Sequence, residues 1–587
     1  MFYLLLGKLV QLLKKAQSHS EALATKADEM TAKHFRTAMD IIYNNLPFRY
    51  YSKSISLQER NHGPMGTSIR TPKSAAAIIK FIATRKKEGI IKDILNNQRN
   101  FSVLVDESTT YSNTTGVTID IKYLDDNGNP KFIFWDLVEP KLTTAKAIAD
   151  CIQNSLHCFP HEFLKKHFVG LGGDGASVIS GVFNGVGALL KEDYENIEFN
   201  HCLAHRLELS VARAIRNSDG FQEYSDFSKK LYAFYSRSPK LAKELKTIAE
   251  NLGDKLLSVK RILDVRWAAS SKSAIESLMK NLRPLLVHLT KYKKQMSTKF
   301  QQMRKKSKGY EKTHKKLQLV RYLAKKLGDF TFVKKLTIMG DCFKEISELS
   351  LFFQSNNMQV MDVWGHITAT KKNLAALIEN IGALEQDFNK QYFLCGTYNG
   401  VRVINDPGDD EKLENEKCMF INALIMDLTE RFKDSVVLKY AGMLKPQNWP
   451  KKDTERAHYC SFELYQLCNK FNMATQFQVV HRQFREWMTS GIVGQVFQQL
   501  IQKLNVLAFS SAQCERDFSA MNRVWRSERS RFNIETVSWM LFLKTNLPSE
   551  EFESNIGSYV KSWNGNSALH YHPKRSCKSK KKQLINN

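Results

Sequence analysis

Three acidic residues occupy positions that could carry chemistry, and two of them suggest metal-dependent phosphodiester chemistry. Asp106 ends the apolar run FSVLV, which is typical of a buried strand, and Asp174 lies in the glycine-rich turn that follows a second such run, HFVGL. Carboxylates that converge at strand ends can hold hard divalent ions, Mg²⁺ or Mn²⁺, and still leave room for phosphate oxygens. The third residue, Glu515, lies beside an apolar helical stripe near the end of the chain. Taken singly, each aspartate is weak evidence, because turns favour Asp.

Two other motifs suggest different chemistry. The glycine-rich segment from Gly170 to Gly175 resembles a phosphate-binding loop, but no Gly-Lys-Ser/Thr follows it. An acidic residue at its centre would also repel phosphate unless a metal ion intervened. Cys202 and His205 could form half of a zinc site, yet no second Cys/His pair stands at a convincing distance. A packed cysteine and a hydrogen-bonding histidine are the favoured alternative, so zinc is not expected.

The elements that would position the two aspartates follow from the hydrophobic pattern. Residues 117–123 (VTIDIKY) alternate like a half-buried strand, the turn Asp126-Asn127-Gly128 favours a hairpin, and residues 131–138 (KFIFWDLV) form the returning strand. Residues 143–159 have helical periodicity, and residues 167–171 form a fourth strand. The order strand, strand, strand, helix, strand is that of an RNase H-like core, in which the fourth strand lies beside the first.

The rest of the chain is predicted to be mostly helical. We expect a helical and basic region at 1–95, the first part of an α/β, RNase H-like domain at 96–270 and an all-α insertion at 271–500. The core should resume at 501–550, and a basic tail should occupy 551–587. No apolar run reaches the roughly 18 residues that a membrane helix needs. The ten cysteines are scattered without paired spacing, which suits a reducing compartment.

Charge points to a polyanionic partner. The net charge is +28, and the segment 291–335 holds 16 Lys or Arg residues against Glu311 and Asp329 alone. Tyr292, Phe300, Tyr310 and Tyr322 interleave with this charge, as in a surface that contacts nucleic-acid phosphates. A solvated helix face or a loop is the alternative interpretation. The predicted contacts within this basic segment are Lys293, Lys294, Arg304, Lys305 and Lys306.

A short apolar and acidic segment suggests a protein partner. Val401, Val403 and Ile404 are followed by Asp406, Asp409, Asp410 and Glu411, a pattern that resembles a SUMO-interacting motif. Such a segment adds a strand to the sheet of its partner. Because short motifs of this kind arise often by chance, an ordinary acidic loop is the favoured alternative.

Together these motifs resemble the hAT superfamily of transposases, and particularly its host-adopted members. Asp106-Glu107-Ser108-Thr109 is similar to the family's first catalytic segment, and Gly173-Asp174-Gly175-Ala176 is similar to the second. Cys202 and His205 fall on its CxxH motif, and Arg266 and Trp267 fall on its RW motif. The segment from Ser511 to Ser519, with Glu515, Arg516 and Phe518, is similar to its last signature.

The resemblance implies a function as well as a fold. Asp106, Asp174 and Glu515 would be the catalytic ligands of Mg²⁺ or Mn²⁺, and Arg266 and Trp267 would lie at the DNA. The region 511–547 would mediate dimerisation. The expected partners are double-stranded DNA and a second copy of the chain, in the nucleus and without a membrane.

Two points qualify this expectation. Intact family members carry an N-terminal zinc finger, and this sequence shows none, which favours a domesticated DNA-binding protein over a complete transposase. Some host-adopted relatives have been assigned SUMO-ligase activity, so a SUMO-pathway factor is the alternative function.

Overall fold

The computed structural model describes residues 25–61, 63–109, 115–175, 177–181, 184–260, 267–303, 309–355, 358–404, 409–433, 435–525 and 532–565. Within these ranges the chain forms two compact units. The first unit combines residues 1–123, 131–168 and 513–587, and the second unit combines residues 124–130 and 169–512. No helix among the described residues is long and apolar enough to cross a membrane.

A mixed five-stranded sheet confirms the predicted α/β class and strand order. In sequence order its strands are β1 (Phe101–Thr109), β2 (Thr115–Leu124), β3 (Pro130–Val138), β4 (Phe168–Gly173) and β5 (Glu198–His201). Their order in the sheet is β3-β2-β1-β4-β5, so the fourth strand lies beside the first as expected. The short strand β5, which runs parallel to β4, was not predicted from the sequence.

Strand β1 is longer than its apolar run suggested. Asp106 was predicted to end the strand, but the antiparallel ladder with β2 continues past it to the pair Thr109–Thr115. Asp106 therefore lies within the strand, opposite Thr118. The prediction was wrong because strand pairing, rather than the apolar run, determines where this strand ends.

Strand β2 is buried on both faces, and not on one face as its alternating pattern predicted. Every residue from 116 to 123 is buried. One face carries the apolar side chains of the VTIDIKY run, and the other carries Thr118, Asp120 and Lys122, which are at most 6% exposed. Alternation indicates a solvent-facing side only when nothing covers the polar face. The buried polar face of β2 is therefore the feature of this sheet that most needs an explanation.

The helices of the first unit come from both ends of the chain. Helix α24 (Ile534–Asn546) covers the edge strand β3: the Asn546 side chain accepts from the Phe134 N–H at 3.1 Å and donates to the Phe134 carbonyl at 2.7 Å. The Ser538 hydroxyl accepts from the Leu137 N–H at 3.0 Å. These side chains satisfy backbone groups that an open sheet edge would expose. The helices are α1 (residues 25–43), α2 (Arg49–Arg60), α3 (Pro72–Asn96), α4 (Ala145–Leu156), α5 (His161–His167), α23 (Ala512–Val524), α24 (Ile534–Asn546) and α25 (Ser549–Asn564).

An aromatic cluster joins the two ends of the chain in this unit. Trp563 of α25 packs edge-on against Phe35 of α1 and Phe81 of α3, with ring centroids 5.6 and 5.0 Å apart. Residues 549–564, most of which were predicted to belong to the basic tail, therefore form a packed helix. The residues of α24 are mostly buried within the same unit. Dimerisation through this region stays a prediction, and the apolar side chains of α24 are already used inside the chain.

The second unit is mainly helical, and it includes residues 271–500, which were predicted to be helical. Buried side chains from most of its helices form one continuous core. A two-stranded hairpin, β6 (Thr397–Tyr398) and β7 (Val401–Arg402), interrupts the helices. The helices are α6 (Ser177–Ser180), α7 (Val186–Asp193), α8 (Leu203–Arg216), α9 (Asp219–Ser236), α10 (Pro239–Leu252), α11 (Trp267–Lys280), α12 (Leu282–Gln301), α13 (Tyr310–Leu327), α14 (Phe330–Phe353), α15 (Val360–Glu379), α16 (Ala383–Cys395), α17 (Asp409–Phe432), α18 (Val436–Tyr440), α19 (Asp453–Arg456), α20 (Ser461–Lys470), α21 (Phe477–Ser490) and α22 (Gln495–Val506).

A buried ion pair lies within the core of the second unit. Lys417 on α17 is 1% exposed and Glu385 on α16 is 2% exposed. Lys417 Nζ lies 3.1 Å from Glu385 Oε2 and 3.3 Å from Glu414 Oε1. Asp341 on α14 accepts backbone N–H groups from Leu384 and Glu385, each at 3.0 Å, at the start of α16. These contacts fix how α14, α16 and α17 pack together.

We expect Lys417→Ala to lower the free energy of unfolding by about 3 to 5 kcal/mol, because it leaves the Glu385 carboxylate buried without its cation. The double variant Lys417→Met/Glu385→Met should recover most of this loss, since it removes both charges and retains apolar volume. Urea unfolding followed by circular dichroism measures both effects. Lys433→Ala, which removes an exposed partner of Glu430, is the control and should cost less than about 1 kcal/mol. Equal losses for Lys417→Ala and the control would contradict the prediction.

Candidate functional site

In the first unit, Asp106 shares one face of the sheet with the buried polar residues of β2. The pairing of Asp106 with Thr118 places Asp106 and Asp120 diagonally on the same face. The Asp106 carboxylate is half-buried and accepts the backbone N–H of Glu107 at 2.9 Å. The Thr118 hydroxyl donates to the Asp106 carbonyl at 3.4 Å. The first predicted ligand is therefore held in a defined position on the sheet.

Helix α23 covers this polar face with two side chains one turn apart. Cys514 is buried and its thiol donates to Asp120 Oδ2 at 3.0 Å. Asp517, 2% exposed, lies three residues later on the same face of the helix. Its carboxylate accepts the Gln513 amide at 3.0 Å and the Thr545 hydroxyl at 3.4 Å. We call Asp120, Cys514 and Asp517 the buried acidic cluster.

Burial raises the pKa values of the buried acidic cluster and so favours its protonated forms. It raises the pKa of Asp120 well above its usual range, and the nearby carboxylates of Asp517 and Asp106 raise it further. Burial raises the pKa of Asp517 to about 6, although hydrogen bonds with Asp120, Gln513 and Thr545 oppose this shift. Burial likewise raises the pKa of the Cys514 thiol. Asp106 thus lies beside carboxyl groups whose protonated forms are favoured by burial.

The C-terminal signature residues divide between the two sides of α23. Glu515 and Arg516 are exposed, and the Arg516 guanidinium donates to the Gln513 side-chain oxygen at 3.1 Å. Phe518 is 8% exposed and belongs to the packed side. The predicted third ligand, Glu515, therefore lies on the solvent side of a helix whose other side covers β2.

In the second unit, Asp174 follows β4 in a segment whose glycines are required for close packing. A Cβ atom at Gly172 would lie 2.6 Å from the Ala508 carbonyl oxygen, and one at Gly175 would lie 2.2 Å from the His201 ring. Neither glycine has a positive φ angle. The glycine-rich composition around Asp174 therefore reflects contact with the chain's own residues. The Asp174 side chain is half-buried.

His201, Cys202 and His205 lie next to this segment. The Cys202 sulfur is buried and accepts the Ser511 N–H at 3.4 Å, and the His201 and His205 rings are 5.4 Å apart. Burial lowers the pKa of His201 to about 3, and the nearby His205 and Arg206 lower it further. Within the part of the chain that the structure describes, His201 Nε2 is buried without a hydrogen-bond partner. The Cys-x-x-His motif thus joins β5 and α8 to the segment that precedes α23.

The basic segment forms a helical hairpin in its described parts. Helices α12 and α13 run antiparallel, with Phe300 4.8 Å from Tyr310 and 5.2 Å from His314 between ring centroids. Near the other end, Lys316 Nζ lies 5.2 Å from the centre of the Tyr292 ring. We call α12 and α13 the basic hairpin.

Several predicted DNA contacts lie outside the described residues. These are Arg266, Arg304, Lys305 and Lys306, and the side chain of Trp267 at the start of α11 also falls among them. Lys293 and Lys294 are described, the first half-buried and the second exposed. The prediction that these residues contact DNA stays a prediction.

The segment predicted to bind SUMO is largely packed. Val401 is 2% exposed and Val403 is 5% exposed, whereas Ile404 is 68% exposed. Val401 pairs with Tyr398, and the Ile404 N–H donates to the Gly328 carbonyl at 2.9 Å. A strand that joins the sheet of a partner needs free backbone groups, and these are already used within the second unit. SUMO binding stays a prediction that would require this hairpin to open.

The predicted metal site can be compared with the arrangement of the donors. Asp106 and Glu515 belong to the first unit, and Asp174 belongs to the second. Among the described residues, no group of three or more His, Cys, Asp and Glu side chains is arranged to hold a metal ion. We therefore derive no reaction step through a metal ion. The ligand roles of the three acidic residues stay a prediction.

Sequence reasoning missed Asp120, Asp517 and His201. Asp120 and Lys122 were interpreted as the solvent side of a strand, but both are buried, and burial lowers the pKa of Lys122 to about 7. The available signal was the spacing of Cys514 and Asp517, which puts a carboxylate on the apolar side of a helix. His201 had no signal, because its environment depends on the packing of Gly175.

We expect the buried acidic cluster to make stability depend on pH. Its carboxyl groups have raised pKa values when folded, so their favourable contribution is present below the unfolded pKa near 4 and is lost as the pH rises through about 6. Asp120→Asn should flatten this profile and raise the Tm at pH 8 relative to the natural protein by about 3 °C. Differential scanning fluorimetry between pH 5 and 8 measures the change. Asp126→Asn in the exposed hairpin turn is the control, and parallel profiles for Asp120→Asn and the natural protein would refute the prediction.

A comparison with protein families identifies part of the chain. Residues 48–185 match the family model DUF4371, described as the ZMYM1/FAM200 RNase-like domain. The matched stretch runs from the N-terminal end of α2 to the N-terminal end of α7, and it includes Asp106 and Asp174 but neither the basic hairpin nor Glu515. This match supports the RNase H-like core that the strand order predicted. Residues 48–185 therefore resemble a domain that is found in proteins derived from hAT transposases.

Proposed function

We propose that this protein binds double-stranded DNA in the nucleus through the basic hairpin, on a scaffold that derives from a transposase. The observation that carries the proposal is the concentration of exposed positive charge on α12 and α13. The exposed basic residues there are Lys291, Lys294, Lys299, Lys312, Lys315, Arg321 and Lys325. The match to an RNase-like domain of transposase-derived proteins supports a partner of this class.

These charges are available to a ligand. Within the described residues, the exposed cations of the basic hairpin form no ion pair with a carboxylate, whereas the half-buried Lys326 lies 2.8 Å from Glu223 and Lys335 pairs with Glu416. The acidic residues of the second unit thus neutralise cations at the base of α13 and on α14. The cations along the outer part of the basic hairpin keep their charge for an external polyanion.

The form of the surface favours nucleic acid over other polyanions. A pair of rigid helices presents lysines at fixed spacing, and phosphates along a duplex recur at fixed spacing as well. The packed rings of Phe300, Tyr310 and His314 hold the two helices together near their connection. Neutralising several phosphates at once releases condensed counterions, which supplies most of the affinity.

Salt dependence tests this proposal. We expect Lys312→Ala/Lys315→Ala to weaken duplex binding and to reduce the slope of log K against log salt by about two, because two phosphate contacts are lost. Fluorescence anisotropy of a labelled duplex at several NaCl concentrations measures both quantities. The matched control is Lys372→Ala/Lys390→Ala, which removes two exposed lysines from α15 and α16. An unchanged slope in the hairpin variant, or the same change in the control, would show that the basic hairpin does not contact DNA.

Binding can also be separated from any cleavage. We expect Asp106→Ala and Asp174→Ala to leave duplex affinity within about twofold, because neither carboxylate belongs to the basic hairpin and its removal lowers repulsion. The same anisotropy titration measures this, and a loss of binding in either variant would contradict it. In parallel, incubation of a labelled branched DNA with Mn²⁺ tests the predicted catalytic role. Cleavage by the natural protein that both variants lack would add a nuclease activity to the proposed DNA binding.

A further inference from the structure

A cleft of about 390 Å³ lies between α10 and α12 in the second unit. Its volume falls within the range of small-ligand sites, roughly 300 to 1,000 Å³. Helix α10 contributes residues from Lys240 to Asn251, and α12 contributes residues from His288 to Gln295. On each helix the lining positions recur every three or four residues, so each helix presents one continuous stripe to the cleft. We call this space the α10–α12 cleft.

The rim of the α10–α12 cleft is basic. Lys240, Lys243 and Lys291 line it and are exposed, whereas Glu244 is the acidic residue that lines it. Lys240 Nζ is 3.9 Å from Glu244 Oε1, a distance at which the pair is weak. In the described part of the chain, neither Lys243 nor Lys291 forms an ion pair. Three ammonium groups facing one carboxylate suit an anionic group such as phosphate.

One wall of the cleft is formed by a ring that its neighbours hold in place. Tyr292 lines the cleft, its ring packs edge-on against Phe234 with centroids 5.7 Å apart, and Lys316 Nζ lies 5.2 Å from its centre. Ile248 of α10 adds an apolar surface to the lining. A ring and an apolar side chain beside lysines are what a nucleotide needs, because every base has a face that stacks on an aromatic ring.

The floor of the cleft is fixed and uncharged. His288 is 2% exposed, and its Nδ1 lies 2.8 Å from the Tyr235 hydroxyl. Its Nε2 lies 3.4 Å from Glu244 Oε2. Burial lowers the pKa of His288, although the Glu244 carboxylate opposes this. A neutral, hydrogen-bonded floor below a basic rim directs an anionic group to the rim and leaves the interior for an uncharged ring.

From this arrangement we infer that the α10–α12 cleft binds one nucleotide, with its phosphate at Lys243 and Lys291 and its base against Tyr292. The inference rests on the proposed DNA binding, because the bound DNA would supply the nucleotide. Helix α12 forms both a wall of the cleft and half of the basic hairpin. A single strand that follows the hairpin brings a base to the cleft. A free mononucleotide carries the same chemistry.

The test uses the full chain and a short fluorescein-labelled oligothymidine, followed by anisotropy. We expect Lys243→Glu/Lys291→Glu to weaken binding roughly tenfold or more. The matched control, Lys372→Glu/Lys390→Glu, makes the same charge change on α15 and α16, outside both the cleft lining and the basic hairpin, and it should weaken binding by less than about threefold. All four lysines are exposed, so folding is not at risk. Equal losses in the two variants would overturn the inference, because they would reflect overall charge alone.

The aromatic wall gives a second test that is independent of charge. We expect Tyr292→Leu to weaken oligothymidine binding about fivefold or more, and Tyr292→Phe, which keeps the ring, to leave it unchanged. An effect of both substitutions, or of neither, would overturn the role of the ring. Competition with thymidine monophosphate identifies the source of the bound nucleotide. Displacement of the labelled oligothymidine supports a site for a free mononucleotide. Oligothymidine that stays bound, with the same dependence on the cleft residues, supports a site for a single strand.

Duplex DNA separates the failure of this inference from that of the proposed function. If the protein binds duplex DNA normally and the cleft substitutions leave oligothymidine binding unchanged, the cleft site is overturned and the proposed function stands. Oligothymidine binding that depends on the cleft, in a protein that does not bind duplex, would support the cleft and refute the proposed function.

Discussion

The first unit depends on covering the polar face and the open edge of its sheet. Burying Thr118, Asp120 and Lys122 in the middle of a strand costs free energy unless their polar groups find partners. One partner of Asp120 is Cys514, 394 residues later in the sequence. The partner of the β3 edge is Asn546, 412 residues after Phe134. The fold of this unit is therefore complete only when the C-terminal helices have returned to the sheet, and such distant contacts are slow to form.

The two units accommodate their buried ionisable side chains in different ways. In the first, burial raises the pKa values of Asp120 and Asp517 and so favours the protonated forms of these carboxyl groups. In the second, a buried cation is retained, and Lys417 is held between Glu385 and Glu414. Pairing inside the core keeps that lysine away from solvent, while the lysines of the basic hairpin extend outward. The positive charge that a ligand meets is thus set by the outward-facing lysines rather than by the net charge of +28.

The sequence predicted the class of the fold and most of its elements. It did not predict the features that depend on tertiary packing. Strand order, the hairpin turn and the helical region follow from local periodicity, which is present in any short window. The end of β1 depends on its pairing with β2, and the burial of both faces of β2 depends on the elements that pack against it. The sequence around Asp106 and Asp120 does not contain that information. The glycines near Asp174 are visible in the sequence. The structure shows why a larger residue would not fit there: Ala508 and His201 approach the backbone closely. For the candidate site, the sequence predicted that acidic residues would be present. It did not predict that burial raises the pKa values of Asp120 and Asp517.

The raised pKa values of the buried acidic cluster also bear on how a polyanion could approach Asp106. With Asp120 and Asp517 ionised, this face would carry three carboxylates close together, and each would repel phosphate. Protons on the buried groups remove part of that repulsion without removing a carboxyl group, and the thiol of Cys514 supports Asp120 by a hydrogen bond. The half-buried Asp106 then retains a carboxylate in a setting that is less negative than its composition suggests. Burial and the neighbouring Lys122 on the same face of β2 together set the electrostatics of this face.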